Sequence, residues 1–345
     1  MLIFWYTSAA MSPRNGLTGK RIVLTGGTGF LGAHLAAALA PENRVILFDN
    51  GRRNAFEALG LAGRLPVDTV QGDIRDFAAV KHVVTRADVV IHLAAIAGVH
   101  SYYESGVETM EVNFLGTETV LHAVREAAPG LLRFVNFSTN EVYGVEAQDA
   151  REDAPTPIGP ASEPRWTYAA SKLAAEHLAL AYHRQHGLPV VSLRPFNIYG
   201  PGQVGEGAVQ ILVRRAIAGQ TLEVTGDGRQ VRAWCYVDDL VDAVRRALAM
   251  PEAVGGVFNI GNPDAAVSMR ELAERLRRLA ASTSEIVLRP HTGTDVRVRV
   301  PDITRARERL GFAPAIGLDE GLARTIAWYR EHPDTPGTAA GGWHP

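Results

Sequence analysis

A chain of 345 residues with 46% apolar and 21% charged residues has the make-up of an ordinary globular protein, long enough for one large core or for two domains. A net charge of −2, with lysine and arginine scattered, argues against nucleic acid or an anionic membrane as partner. A single cysteine, Cys235, excludes an internal disulfide and a cysteine-based metal centre, so a reducing, cytoplasmic setting and no bound metal are expected.

The leading run MLIFWYTSAAM is apolar but too short to span a bilayer, and no later run is long enough, so residues 1–19 are read as an extension outside the fold. RIVLTGG (21–27) then reads as the first strand and FLGAHLAAALA (30–40) as the helix behind it. Further strands are expected at 44–50, 67–73, 88–95, 133–139 and 188–197, the last being the final clear member of the sheet. Long helices are expected at about 107–128 and at 168–185. Short apolar strands alternating with helical patterns predict an α/β fold, a Rossmann-type doubly wound parallel sheet, over residues 20–199. Residues 200–332 hold a Gly-rich loop, helices at 208–219, 239–249, 268–280 and about 318–331, and short strands near 222–225, 232–237 and 255–261. They read as a smaller mixed α+β substrate domain without a core sheet of its own, parts of it returning to the first domain. It should lie on the carboxyl ends of the strands, where open α/β sheets bind ligands. The tail 333–345, rich in Gly, Thr and Ala, is expected to be flexible.

Gly26, Gly29 and Gly32 follow the first strand and open its helix, the context in which a glycine pattern marks a dinucleotide site. Glycine allows the tight turn and the close approach of backbone to pyrophosphate. The helix start, with Phe30 and Leu31, offers free N–H groups and a favourable dipole. Asp49 ends the second strand 20 residues after Gly29, where with Asn50 it can accept from the adenine ribose and repel a 2′-phosphate, so NAD is expected over NADP. Arg52 and Arg53 argue the other way, since a nearby arginine can accommodate that phosphate. Asp73, with Ile74, is placed to reach the adenine; the competing reading for Asp73 is a helix cap. Leu93, Ala94 and Ala95 close the fourth strand against the same cofactor.

Tyr168 and Lys172 lie four apart on one helix and share a face. A lysine cation beside a phenol favours phenolate, which makes Tyr168 a candidate general base with Lys172 lowering its pKa. Thr139, ending the fifth strand, can bond the same substrate hydroxyl. Cys235 sits in the apolar run AWCYV and reads as a buried, inert thiol.

Together TGGTGFLG (25–32), HLAA (92–95), STNEVYG (138–144), YAASK (168–172), RPFNIYGPG (194–202) and GNP (261–263) resemble the extended short-chain dehydrogenase/reductases, the NAD-dependent nucleotide-sugar epimerases and dehydratases. The resemblance runs from about Lys20 to Arg330. It implies that Thr139, Tyr168 and Lys172 carry the redox step on a UDP-sugar, that Asn197 contacts the nucleotide sugar, and that Arg232 contacts its diphosphate or sugar. Arg297 and Arg299 are further phosphate candidates, and a homodimer pairing the helices 107–128 and 168–185 is expected.

The triplet Thr139-Asn140-Glu141 bears on which reaction is run. Sugar 4,6-dehydratases carry Thr-Asp-Glu, whose Asp protonates a leaving hydroxyl; the amide of Asn140 has no such proton to give. Plain 4-epimerases carry small residues where Glu141 stands. UDP-glucuronate decarboxylases look similar here, with Thr-Ser-Glu, and EPRWTYAASK (163–172) resembles the Pro-Arg-Trp-x-Tyr-x-x-Ser-Lys of one of them. Asn140 is thereby a substrate-binding candidate and Glu141 a catalytic one acting at C5. Decarboxylation of a UDP-hexuronate is the expected reaction, then 4-epimerisation, then dehydration. The segment QVGEGAV (203–209) departs from the decarboxylase pattern, and Glu141 could instead be a capping carboxylate. A dinucleotide-sensing protein without catalysis is the reading from another class, and such proteins are expected to lose the Tyr or the Lys that this chain keeps.

Overall fold

The computed structural model describes residues 17–98, 103–290 and 293–335. The N-terminal extension, apart from residues 17–19, and the tail beyond residue 335 lie outside the described residues.

The core is a seven-stranded sheet in the order Val257–Ile260, Val190–Pro195, Arg133–Phe137, Val89–His92, Arg21–Thr25, Arg44–Asp49, Val67–Gln71, with every neighbouring pair parallel. Parallel strands need covered faces, and the central ones are apolar on both sides. Ile22 and Leu24 pack with the helices Phe30–Leu39 and Val237–Ala249, while Val23 faces the helices Phe77–Val84 and Gly116–Ala127. The strand order reverses between Arg21–Thr25 and Val89–His92. The crevice outside their carboxyl ends is the binding position of a doubly wound sheet.

Two expectations are corrected. Val190–Pro195 is not the last strand, because Val257–Ile260 returns to pair beside it. Nor does the later half lack a sheet. Ala266–Ser268, Val231–Ala233, Val298–Pro301 and Glu146–Ala150 form a four-stranded sheet whose outer strand comes from the first half of the chain. That outer strand, EAQDA, is mostly polar and carries no strand signal; it is held by pairing with Val298–Pro301.

The helix expected at 107–128 is interrupted. Gly106–Met110 and Gly116–Ala127 are α-helical, but Glu111–Leu115 between them is a π-turn. Such a turn inserts one extra residue, and it buries the polar Asn113. Trp166–His186 begins two residues before Tyr168, so the tyrosine sits inside its first turn. Among the described residues no helix is long and apolar enough to cross a membrane.

Candidate active site

The glycine loop is shaped by contacts that only hydrogen satisfies. Gly26 has φ +68°, and a Cβ there would lie 2.7 Å from the Ala94 nitrogen. A Cβ on Gly32 would lie 2.5 Å from the Gly26 carbonyl oxygen. The helix Phe30–Leu39 therefore starts hard against the loop, and its N-terminus has no side-chain cap. Its first N–H groups face a cleft of about 330 Å³. Every residue assigned to the cofactor from the sequence lines that cleft, from Gly26 and Gly32 through Asp49, Asn50, Asp73 and Ile74 to Leu93–Ala95, Tyr168 and Lys172.

Asp49 is fixed by the glycine loop itself, its carboxylate accepting from Thr28 N (3.1 Å) and Gly51 N (2.8 Å). Arg52 pairs with Glu108 (3.5 Å), and Arg53 is spent on the Ala97 carbonyl (2.8 Å) and Glu206 (3.5 Å). A carboxylate on the ribose side with both arginines engaged elsewhere suits NAD rather than a 2′-phosphate. The helix-cap alternative for Asp73 fails: Asp76 caps the next helix by accepting from Ala79 N, while Arg75 grips Asp73 and holds its carboxyl below the ordinary range. An uncapped helix start and an ordered acid at opposite ends of one cleft fit a dinucleotide.

Beyond Ser138 in the cleft wall lie the reactive side chains. Thr139 caps the turn Asn140–Tyr143, its Oγ1 accepting from Glu141 N (3.2 Å), so the capping role weighed for Glu141 belongs to Thr139. A hydrogen bond joins Thr139 to the half-buried Tyr168. Burial, then the negative charge of Glu141, push the Tyr168 pKa up; the Thr139 hydrogen bond and the Arg299 guanidinium pull it down. Arg299 is thus a cation acting on the phenol, besides the Lys172 expected from the shared helix face. Lys172 is itself buried, which lowers its pKa to about 8, against an upward pull from Glu176.

Arg299 also changes places with Arg297. The Arg297 side chain is 67% exposed and pairs with Glu146 (2.7 Å) at the surface. Arg299 is buried at the centre, donating to the Asn140 amide oxygen (3.2 Å) and the Gly144 carbonyl (3.2 Å) and lying 3.6 Å from Glu141. One oxygen of Glu141, Oε2, is buried with no hydrogen-bond partner. Asn197, held at φ +40°, donates to the Ala233 carbonyl (2.9 Å), which ties it beside Arg232. Arg232 donates to the carbonyls of Val231 and Val296, and burial followed by repulsion from Arg299 lowers its pKa to about 9. Close by, Thr225 Oγ1 and Gln230 Oε1 are buried without partners while Gln230 Nε2 holds Asp295 (2.8 Å). Buried cations beside uncommitted polar groups make a site for an anionic, hydrogen-bonding ligand.

Asn113 was missed from sequence. It brackets Ile96, accepting from its N–H (2.8 Å) and donating to its carbonyl (3.0 Å), and donates to Ser171 Oγ (3.1 Å), whose hydroxyl bonds the Tyr168 carbonyl (2.7 Å). It thus locks the reactive helix to the cleft wall. Its only sequence signal is a polar residue in an otherwise apolar helical stripe. Among the described residues no cluster of His, Cys, Asp or Glu is arranged to hold a metal ion.

A dinucleotide-shaped cleft with Tyr168 and Lys172 in its wall and Thr139 beside them is the arrangement expected of an extended short-chain dehydrogenase/reductase. The chain belongs to the NAD dependent epimerase/dehydratase family, whose model matches residues 22–261, and NAD is its cofactor. It is 38% identical over 326 residues to a UDP-N-acetyl-alpha-D-glucosaminuronate decarboxylase of Bacillus cytotoxicus, covering 90% of this chain and 98% of that protein. It is 33% identical to a dTDP-glucose 4,6-dehydratase of Streptomyces niveus, covering 90% and 93%. Among solved structures it is similar to a UDP-glucuronic acid 4-epimerase of Bacillus cereus in complex with UDP-glucuronic acid and NAD, with TM-score 0.82, 27% identity and coverage of 90% and 99%.

Proposed function

We propose that this enzyme oxidises C4 of a UDP-hexuronate and decarboxylates it; its 38% identical relative is a UDP-N-acetyl-alpha-D-glucosaminuronate decarboxylase. The observation that carries the reading is the triplet Thr139-Asn140-Glu141. Its second member is an amide occupied by Arg299, and its third a partly buried carboxylate with one buried oxygen to spare. A dehydratase needs a proton donor for the leaving hydroxyl, and Asn140 offers none. Loss of CO2 from a 4-keto acid needs no such donor, only a group to manage the proton at C5, which is the role assigned to Glu141.

NAD held in this cleft would supply the acceptor for the C4 hydride and, where the 4-keto pentose is not released, the hydride that reduces it. Tyr168 takes the proton of the C4 hydroxyl, with Thr139 orienting that hydroxyl and Lys172 adding positive charge on the same helix face. Arg299 and Arg232 hold the substrate's anionic groups. Once C4 is a ketone, the C5–C6 bond breaks, CO2 leaves, and its electron pair stays on the C4–C5 enolate until C5 is protonated from the Glu141 side. Asn197, beside Arg232, is assigned to the nucleotide-sugar linkage.

Likeness to the UDP-glucuronic acid 4-epimerase supports a second reading, in which the 4-keto sugar turns over and is reduced on its other face. The test is the mass of the products from UDP-glucuronate and UDP-N-acetylglucosaminuronate. Loss of CO2 supports the proposal; unchanged mass with inverted C4 replaces it with epimerisation. Glu141→Gln should slow protonation of C5, and with it turnover to the pentose product, while leaving C4 oxidation, seen as reduced-nicotinamide absorbance. A variant that turns over like the parent removes Glu141 from the chemistry.

A further inference from the structure

The segment QVGEGAV (203–209) reaches the cofactor cleft, where Gln203 and Val204 line the wall together with Arg53, Ile96 and Ala97. Both flanks of the segment are anchored. Upstream, His34 Nε2 donates to the Pro201 carbonyl (2.9 Å) and the Tyr329 hydroxyl donates to the Gln203 carbonyl (2.6 Å). The helix behind the glycine loop and the helix Leu318–Glu331 thus hold one end. Downstream, the chain runs into the helix Ala208–Ile217. Val204, Gly205 and Glu206 bridge the two anchors.

Glu206 fastens that bridge. Its carboxylate lies 3.5 Å from Arg53 Nη2, while Arg53 Nη1 donates to the Ala97 carbonyl (2.8 Å). One guanidinium therefore joins three chain segments: the loop after the strand Arg44–Asp49, the loop after Val89–His92, and the bridge. Two glycines permit the approach. Gly205 has φ +98°, and a Cβ there would lie 3.0 Å from the Arg53 guanidinium; Gly98 has φ +130°, and a Cβ there would lie 2.7 Å from the Glu206 carboxylate. The Arg53 and Glu206 side chains are 38% and 15% exposed, so water reaches the pair and can take it apart. Glu206 does not itself line the cleft, and it acts there through Arg53 and the bridge.

We propose that residues 203–206 are a strap across the cofactor cleft, fastened by the Arg53–Glu206 pair, and that its opening sets how fast NAD enters and leaves. NAD is the cofactor of this cleft, so the strap acts whichever sugar reaction is run. Both partners of the pair belong to the protein, so the strap fastens with or without the cofactor. Loosening it speeds entry and exit together. A side chain that held the cofactor by contact would change exit without entry, and one that steered the anionic dinucleotide would change entry without exit.

Stopped-flow fluorescence of NADH with the full chain reads both rates, association on mixing and release on displacement by excess NAD. Glu206→Gln keeps the shape of the side chain and removes the ion pair. It should raise association and release together, by up to about fivefold for a partly exposed pair. Removing a negative charge near an anionic ligand would by itself slow release, so a faster release has to come from the strap. Raising salt from about 0.05 M to about 0.5 M should accelerate release from the parent more steeply than from the variant, because only the parent has the pair to screen. Association and release rising together, with the weaker salt response in Glu206→Gln, supports the strap. Release that is unchanged or slower in the variant, release that rises without association, or equal salt responses overturns it. No sugar is present in these measurements, so a wrong reading of the sugar chemistry would leave them untouched.

Discussion

His92 ends a central strand with no exposed surface, between Thr25 Oγ1 (2.7 Å from Nδ1) and Thr117 Oγ1 (2.9 Å from Nε2). Thr117 gives its own proton to the Asn113 carbonyl (2.6 Å), so it accepts from the ring. Nε2 therefore carries the hydrogen, and Nδ1 accepts from Thr25. A second ring proton would meet the hydroxyl that now donates to it, in a fully buried site. Burial chiefly, with the Lys172 cation, lowers the pKa to about 3. The unfolded chain protonates this ring near pH ~6.5, so the stability conferred by the lowered pKa is complete above that value and is lost as pH falls toward 3. At about pH 4.5, some two units below the unfolded midpoint, the loss comes to about 3 kcal/mol. Urea unfolding of the parent and of His92→Gln, each at about pH 7.5 and about pH 4.5, isolates this contribution. The parent should lose about 3 kcal/mol more than the variant between the two conditions. Asp239, raised to about 6 by burial, acts with the opposite sign, its contribution being full at low pH and lost as pH rises through 6; it is present in both proteins and cancels. Equal losses in parent and variant would show that the ring is not a buried neutral base.

Asp49→Ala removes an acceptor that two backbone N–H groups order, and should weaken NAD about tenfold while narrowing its preference over NADP, measured by calorimetric titration. Equal affinities in the parent would remove Asp49 from ribose recognition. Gly32→Ala drives a methyl to 2.5 Å from a backbone oxygen that has no room to yield, and should cost about 3 kcal/mol in thermal unfolding as well as cofactor binding. On the helix Gly106–Met110 and the following turn, Val107 and Leu115 are 76% and 53% exposed. If they form a dimer face, Val107→Glu with Leu115→Glu should give monomers in sedimentation, and an unchanged sedimentation coefficient would place the interface elsewhere.

The strands of the first half were legible because apolar runs such as RVILF must be covered on both faces, and the glycine loop because its spacing serves one local geometry. Glu146–Ala150 was not legible: an edge strand of polar residues is set by its partner, not by its own side chains. Arg297 and Arg299 look equivalent as sequence, yet the fold leaves one at the surface beside Glu146 and buries the other against Asn140. The direction of the Tyr168 shift was misjudged for a similar reason. Spacing shows that Lys172 shares its face, but the balance depends on burial and on two side chains, Glu141 and Arg299, whose proximity comes from the fold.

The returning strand Val257–Ile260 has a consequence for synthesis. Val190–Pro195 leaves the ribosome about sixty residues ahead of its outer neighbour. At about 5–20 residues per second, that leaves its apolar edge unpaired for about 3–12 seconds. A chain cut at residue 199 would keep that edge bare permanently, with a row of unpaired N–H and C=O groups open to a second molecule. Such a fragment contains the whole glycine loop and Tyr168, yet it should collect in aggregates rather than bind nucleotide. The later half thus protects the earlier one during translation, and a stalled or slowed ribosome between residues 200 and 256 exposes the nascent protein to its most adhesive state.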